Sequence, residues 1–323
     1  MNAKRLASAA ALLPPLGLAA LLLALPEAAA EGARRGLSVC AGVILPSLFP
    51  FLVLSLLLTD LGFAAALASA LSPVLKRLRI PPVCAAPLLL GLCGGYPVGA
   101  RALAELVRAG ALTPDEASRM LPCCNNTGPG FIIGVAGGAV FGSVRCGALL
   151  YLCHALAALA LALLLGRGAP PRAPSPVQCA RPDAAFPAAV RGAAGTAIEL
   201  SAYVVFFSVL SSVVRESGAL TALAGAISAR FGTELRFSTA LLTGLLEIGS
   251  GVAEMRGMAA SPGNLALAAF LLGFGGVSVH AQTLAAVAGT NIRCARHFAG
   301  RILHGIISAV CVLLLLAVRL PRS

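Results

Sequence analysis

Residues 91–101 (GLCGGYPVGAR) and 123–134 (CCNNTGPGFIIG) place helix-breaking residues inside apolar sequence. In a lipid bilayer, a backbone N–H or C=O freed by such a break costs several kcal/mol unless another group satisfies it. Irregular backbone therefore survives only where it is buried in protein or lines a wet cavity, so we interpret both breaks as parts of a binding site. The residues that break the helices are Gly94, Gly95, Pro97, Gly99, Gly128, Pro129 and Gly130.

The composition indicates an integral membrane protein. Of 323 residues, 59% are hydrophobic and 11% charged, with a mean hydropathy of +0.93, whereas a soluble domain carries about 25% charged residues. Several apolar stretches reach the roughly 20 residues that cross a bilayer. The net charge of +12 is spread over short loops without a dense basic block or a tryptophan, which argues against nucleic-acid binding. The basic residues instead orient the protein with its N-terminus inside.

We predict a single membrane domain over residues 1–323, folded as an all-α polytopic helical bundle. Its predicted parts are a first helix (6–25), a first repeat (37–166), a cytoplasmic linker (167–190) and a second repeat (191–320). The first helix is followed by small residues, as in a signal peptide, but its apolar run exceeds the roughly 7–15 residues typical of one. We favour an uncleaved helix, with cleavage as the alternative.

Local signals place further elements. Pro46 and Pro50 predict a kink or local unwinding within the second span. Residues 61–75 precede three basic residues and predict a helix along the cytoplasmic surface. Thr113 is a favourable N-cap for a short surface helix reaching Leu121. Residues 290–301 are rich in arginine and predict a basic loop before the last span.

The second half of the sequence repeats the organisation of the first. Residues 241–255 (LLTGLLEIGSGVAEM) resemble residues 88–102 (LLLGLCGGYPVGARA) in their glycine placement, and residues 273–282 (GFGGVSVHAQ) hold a further break. If the first break of each half is a re-entrant hairpin and the second is a broken membrane helix, each half contributes three crossings. The two halves are then inverted repeats, a recurrent transporter architecture. The breaking residues here are Gly249, Gly251, Gly275 and Gly276.

Polar residues at the breaks are the candidate ligands for a solute. Asn125, Asn126 and Thr127 either hydrogen-bond a ligand or cap the broken helix, and both interpretations stay open. Glu247 lies within an apolar segment, where an ionised side chain costs roughly 2.5–3.5 kcal/mol. It either binds a cation, a proton or a hydroxylated solute, or it pairs with arginine or caps backbone N–H groups.

Four further residues complete the candidate site. Ser278, His280 and Gln282 alternate along the chain, and an extended segment would place all three on one face, whereas a helix would scatter them. Tyr96 either stacks on a base or sugar or hydrogen-bonds freed carbonyls. Two more polar residues, Glu199 and His154, lie nearer the ends of spans, where extension of the side chain to the membrane interface or a hydrogen bond between helices is favoured over a role in the site.

These motifs resemble those of the YlbJ-type sporulation integral membrane proteins, a family grouped with nucleoside-recognition Gate-domain proteins. The resemblance rests on GGYPVGAR, CCNNTGPGFIIG, LPSLFPF, LLEIGSG and GFGGVSVHAQ and covers nearly the whole chain. It implies a multi-pass protein of the bacterial cytoplasmic membrane, linked to endospore formation. The sequence departs from the expected Ser-Gly before Tyr96 by having Gly94 and Gly95, which removes a hydroxyl.

Two functional hypotheses follow. The first is a secondary transporter or channel-like protein for a small polar solute, nucleoside-like solutes included, and the alternative is a non-transporting scaffold in forespore envelope assembly. The sequence contains no catalytic motif and no P-loop, so we predict no enzyme and no cofactor, with Na⁺ or H⁺ as the coupling ion. Cys123 and Cys124 lack partners for a metal site. The expected partners are the solute, the lipid bilayer and either further copies of the chain or other sporulation membrane proteins.

Overall fold

The computed structural model describes residues 3–166 and 182–319, and every regular element within these residues is a helix. The predicted all-α polytopic bundle is therefore confirmed. In chain order the α-helices are α1 (Ala3–Ala24), α2 (Pro26–Val39), α3 (Leu45–Asp60), α4 (Phe63–Arg77), α5 (Ala85–Gly94), α6 (Val98–Arg108), α7 (Pro114–Cys124), α8 (Val144–Leu165), α9 (Pro182–Glu216), α10 (Ala219–Phe231), α11 (Leu235–Leu246), α12 (Ile248–Glu254), α13 (Pro262–Phe274), α14 (Gly276–Ala286) and α15 (Ala295–Arg319). A 3₁₀ turn and two π-helical segments complete the described chain: Pro82–Cys84, Cys40–Ile44 and Gly130–Val140.

Among the described residues, between four and six segments are long and apolar enough to cross a membrane. Four do so as single helical units: Val144–Leu165, Ala185–Glu216, Pro262–Ala286 and Ala295–Val318. Two bent pairs reach the same length and hydropathy together: Leu12–Ala24 with Pro26–Gly42, bent by 100°, and Ala66–Arg77 with Pro82–Gly94, bent by 119°. The chain is a multi-pass membrane protein.

Helix α2 replaces what the sequence presents as a connection between the first two spans. Its glycines Gly32 and Gly36 lie against α9, where an added Cβ would come within 2.7 Å of the Val209 Cα and 2.8 Å of the Val205 Cα. Small residues four apart allow two backbones to approach this closely. The packing on α9 thus explains a helix in a stretch of low hydrophobicity.

The kink predicted at Pro46 and Pro50 takes the form of a π-helical turn just upstream. The Leu45 N–H donates to the Cys40 carbonyl, five residues earlier, and α3 then continues through Pro50. The helix predicted for residues 61–75 is present as α4. The linker predicted for residues 167–190 ends earlier than expected because α9 begins at Pro182, and residues 167–181 lie outside the described residues.

The first and third breaks turn the chain into tight helical hairpins. In the α5/α6 hairpin, Gly91 and Gly99 both lie against the Cys124 carbonyl, and a Cβ on either would overlap it. In the α11/α12 hairpin, a Cβ on Gly251 would overlap the backbone of Gly244. Glycine is needed at these crossings because any side chain would separate the helices.

The second and fourth breaks interrupt two longer helical units. Helix α7 ends at Cys124, the chain is irregular from Asn125, and a π-helical segment starts at Gly130. Helices α13 and α14 are separated only by Gly275, which adopts a left-handed conformation with φ of 90°. Opposed orientation of the two halves in the membrane remains a prediction.

Two sequence predictions around these helices need correction. The Thr113 cap is confirmed, since its hydroxyl accepts from the Glu116 N–H at 3.2 Å, but α7 is mostly buried rather than a surface helix. The basic loop predicted for residues 290–301 ends early, because α15 begins at Ala295. Arg301 therefore lies inside a helix and is fully buried.

Candidate functional site

The four breaks meet in the interior of the protein. A Cβ on Gly95 would lie 2.9 Å from the Gly128 nitrogen, and one on Gly276 would lie 2.9 Å from the Gly244 carbonyl oxygen. The Thr127 hydroxyl joins the two halves by donating to the Leu272 carbonyl at 2.8 Å. Residues from all four interruptions thus surround one buried polar region.

The asparagines and threonine of the second break are fully enclosed in this region. The Asn125 amide donates to the Thr283 hydroxyl at 2.7 Å, and the Asn126 amide donates to the Cys123 carbonyl at 2.6 Å. The Asn125 Oδ1 has no hydrogen-bond partner among the described residues. Each side chain therefore supports the broken backbone or its neighbour, and Asn125 retains a free acceptor.

Arg301 is the charge at the centre of the site, and the sequence analysis missed it. Its Nη1 lies 2.8 Å from the His304 Nδ1 and 3.4 Å from the Asn126 Oδ1. Its Nη2 donates to the Leu272 carbonyl at 3.3 Å. Within residues 3–166 and 182–319, no Asp or Glu forms an ion pair with this guanidinium. A full positive charge is thus buried among neutral acceptors.

All four histidines of the sequence are buried in this region with Arg301. The His154 and His304 rings have centroids 4.3 Å apart and planes inclined by 32°, and His280 meets His297 edge-on at 5.3 Å. Despite this clustering, no group of three metal-binding side chains with suitable geometry occurs in the described residues. The cluster therefore places four imidazole rings in the same buried region as the Arg301 guanidinium.

The spacing of the basic residues on α15 in the sequence indicates a shared helix face. His297, Arg301 and His304 are four and three residues apart, which places them on one face of a helix. In the basic loop predicted for residues 290–301, this spacing would have no structural meaning. Treating residues 295–304 as the start of the last span would have revealed a polar face on an apolar helix.

Glu247 acts as the N-cap of α12. Its Oε1 accepts from the Gly249 N–H at 2.8 Å and its Oε2 accepts from the Ser250 N–H at 2.5 Å. Both oxygens thus satisfy backbone donors that the hairpin turn leaves free. Tyr96 from the first break lies close to Thr127 and Glu247.

Ser278, His280 and Gln282 are all buried, but the predicted extended segment is wrong. They lie on helix α14, because the break at Gly275 interrupts the helix without preventing it from resuming at once. Successive residues turn by about 100°, so Ser278 and Gln282 share one face while His280 points to another. His280 faces His297, and Gln282 faces a separate cavity.

That cavity lies between α6, α9 and α14, beside the first break. It is lined by Pro97, Arg101, Glu199, Tyr203 and Gln282. Arg101 Nη2 and Glu199 Oε2 form an ion pair across it at 2.5 Å. Glu199 therefore joins two helices, one of the two roles expected for it, whereas His154 belongs to the central cluster.

Comparison with known proteins places the chain in a family. A family model described as Gate, nucleoside recognition, matches residues 41–163. A Bacillus subtilis (strain 168) protein, the sporulation integral membrane protein YlbJ, is 30% identical over 328 residues, covering 93% of this chain and 80% of that protein. This chain belongs to the YlbJ family. No solved structure matches it.

The Gate match covers only part of the site of this YlbJ family member. Residues 41–163 include the first hairpin, the Asn125 to Thr127 break and His154. Arg301 and the other three histidines come from beyond the match, on α14 and α15. The polar centre is therefore assembled by both halves of the chain.

Proposed function

We propose that this protein is a secondary transporter of the bacterial cytoplasmic membrane that carries a small anionic solute during endospore formation. Family membership supports the link to sporulation, since the Bacillus subtilis relative is named for it. The convergence of four helix breaks supports transport rather than catalysis, because broken helices at such depth occur where they line a binding site or cavity.

The buried guanidinium of Arg301 is the observation that carries the anionic character. A cationic side chain within a membrane span costs roughly 2.5–3.5 kcal/mol. Its hydrogen bonds to His304, Asn126 and Leu272 satisfy donors but leave the charge uncompensated. A carboxylate or phosphate group on the solute would supply both the opposite charge and strong acceptors, for which arginine is well suited.

Neutral groups around the charge provide the remaining recognition. Asn125 offers a free buried acceptor for a donor on the solute. The rings of Phe274 and Phe298 stand edge-on to His280, at 4.8 Å and 4.7 Å, and give the site an apolar wall. Glu247 is occupied as a helix cap, so we assign it a structural rather than a ligand-binding role.

A stabilisation screen tests this proposal. Purified wild-type protein is melted in detergent with a library of small metabolites grouped by charge, alongside Arg301→Gln and Arg296→Gln. Arg296 is the matched control because it lies on the same helix but at the surface, paired with Asp115 at 2.9 Å. We expect anions to raise the melting temperature of the wild type and of Arg296→Gln, with at least a tenfold loss of affinity in Arg301→Gln.

The outcomes separate the hypotheses. Arg301→Gln removes a charge that no Asp or Glu of the described residues pairs with, but keeps an amide that can donate to the buried acceptors around it. We therefore expect it to fold, and its melting temperature without ligand checks this. Stabilisation by neutral nucleosides, equal in Arg301→Gln and wild type, would retain transport but exclude the anionic class. No stabilisation by any compound would favour the scaffold hypothesis.

A further inference from the structure

The pairing of His280 and His297 is a second feature of the polar centre. Both rings are buried, with 4% and 0% of their surface exposed, and they meet edge-on at 5.3 Å. Neither nitrogen of either ring has a hydrogen-bond partner among the described residues. The Leu121 carbonyl lies near His297 but outside hydrogen-bond geometry. Four ring nitrogens are therefore buried without partners, which is rare for polar atoms in folded proteins.

The other two histidines differ because their lone pairs are already engaged. The His154 Nε2 accepts from the Thr127 N–H at 3.2 Å. The His304 Nδ1 accepts from Arg301, so its Nε2 carries the proton and donates to the His154 carbonyl at 3.0 Å. Either ring would lose an existing hydrogen bond on taking up a proton. Only His280 and His297 can be protonated without such a loss.

The charge of Arg301 opposes a second positive charge in this region. Two like charges at low dielectric repel strongly, and no Asp or Glu of the described residues pairs with Arg301 to offset them. Titratable or charged groups around the pair include Arg301, His154, His304, Cys123, Tyr96 and Glu247, with Arg101, Glu199 and Tyr203 beyond α14. Helix α7 also carries Asp115, which pairs with Arg119 and Arg296. Glu247 is held by two backbone N–H groups. Glu199 is paired with Arg101.

We infer that the His280/His297 pair is a proton site that is loaded together with the anion, so that transport is driven by proton symport. This inference rests on the proposed anionic solute. The anion neutralises Arg301, and one imidazole then binds a proton taken from the same side of the membrane. Both leave on the other side, so a monovalent anion crosses with no net charge.

The same chemistry disfavours sodium as the coupling ion. Alkali and other hard cations require several oxygen ligands, preferably with negative charge. The pair offers imidazole nitrogens beside a guanidinium instead. Of the two coupling ions considered from the sequence, the geometry therefore favours the proton.

Nitrogen-15 NMR of histidine-labelled protein tests the inference directly. All four histidines belong to the cluster, so with a tag that contains no histidine every imidazole signal reports on this region. Benzoate and sulfate serve as carboxylate and phosphate probes, because neither changes charge between about pH 6 and pH 8, where histidine titrates. Spectra of the wild type in nanodiscs are compared with and without each probe.

We expect one imidazole to become an imidazolium when a probe binds, with the signals of His154 and His304 remaining neutral. Because binding takes up one proton, probe affinity should fall about tenfold for each unit by which the pH is raised within the titrating range. His280→Gln and His297→Gln, made singly and together, identify the protonated ring. The double variant should bind with an affinity independent of pH.

The results separate the two proposals. If a probe binds with all four rings neutral and a flat pH profile, the proton site is wrong while the anion transporter survives. Protonation of His154 or His304 instead would also overturn the assignment. If neither probe binds to folded wild-type protein, both the anionic function and the proton site fail. The wild-type spectra decide these outcomes even if a histidine variant does not fold.

Discussion

The α5/α6 and α11/α12 hairpins share one construction but satisfy their turns differently. Both cross at glycines: a Cβ on Gly91 or Gly99 in α5/α6 would overlap the Cys124 carbonyl, and a Cβ on Gly251 in α11/α12 would overlap the Gly244 backbone. Helix α12 then begins with a side-chain cap from Glu247. Helix α6 begins after the first break with no side-chain cap. The second hairpin therefore satisfies its turn with a side chain, whereas the first uses backbone carbonyls, as where the Val98 N–H donates to the Gly95 carbonyl at 3.0 Å.

The two halves of the molecule also contribute different kinds of group to the site. The second break contributes side chains, from Asn125 to Thr127, whereas the region before the fourth break contributes a backbone carbonyl, Leu272. The charge comes from Arg301 on the last helix. Each half contains a hairpin and an interrupted helical unit, but the two halves contribute different functional groups to the site.

The largest expected effect comes from filling a hairpin crossing. Gly91→Val and Gly251→Val should each destabilise the fold by about 3 kcal/mol, the upper range for overpacking, because the side chain meets backbone that cannot move aside. Gly225→Val in α10 is the control, since no atom lies within 4 Å of its added Cβ. The measurement is the fraction of monodisperse protein after extraction, with the melting temperature of what remains. If Gly251→Val were tolerated while Gly91→Val was not, the two hairpins would differ in how closely their helices approach.

The positions of the breaks could be predicted because their signals are local. Glycine, proline and asparagine clusters interrupt apolar sequence directly, and Thr113 caps α7 through residues within one turn. The same approach failed for α2, whose helix depends on Gly32 and Gly36 packing against α9. It also failed for α14, where three alternating polar residues imitate a strand but the helix resumes immediately after Gly275.

The central charge could not be placed from local signals. Arg301 follows other arginines and reads as part of an inner loop under the positive-inside rule. Only tertiary packing brings it against Asn126 and Leu272, more than 170 and 25 residues away along the chain. Conversely, Glu247 stands out in the sequence because it is charged, yet its carboxylate is used by its own helix. Charge within a span marks a residue as important without stating its role.

A second prediction distinguishes the helix cap, Glu247, from Asn126, which belongs to the proposed binding site. Glu247→Gln should destabilise the protein by about 1–2 kcal/mol, since it weakens a charged cap that accepts two backbone hydrogen bonds. It should leave the affinity for anions unchanged. Asn126→Ala should lower that affinity about tenfold, because Asn126 accepts from Arg301 and helps to orient it. Melting curves with and without the stabilising anion measure both effects.

The reverse result would overturn this division of roles. If Glu247→Gln abolished ligand binding without loss of stability, the carboxylate would belong to the binding site and the second hairpin would be the functional one. Glu254→Gln controls for removal of a carboxylate from the same hairpin, at its far end.

The smallest expected effect concerns the ion pairs that join each hairpin to α9. Arg101 of the first hairpin pairs with Glu199, and Glu254 of the second pairs with Arg215, both at 2.5 Å and with the charges exchanged. Glu199 and Arg215 are 16 residues apart on α9, or about 24 Å along a helix, close to the roughly 30 Å thickness of a bilayer core. Inverted repeats would attach their hairpins near opposite membrane surfaces in this way.

Double-mutant cycles should give about 0.5–1 kcal/mol of coupling for each pair, since all four side chains are partly exposed. The cycles use Arg101→Gln with Glu199→Gln, and Arg215→Gln with Glu254→Gln, measured as unfolding free energies. Equal coupling would support equivalent attachment of the hairpins, as inverted repeats require. A coupling present in one pair and absent in the other would show that one hairpin is held more firmly than its counterpart. Because the first hairpin also lacks a side-chain cap, loss of its coupling would identify it as the more mobile element beside the site.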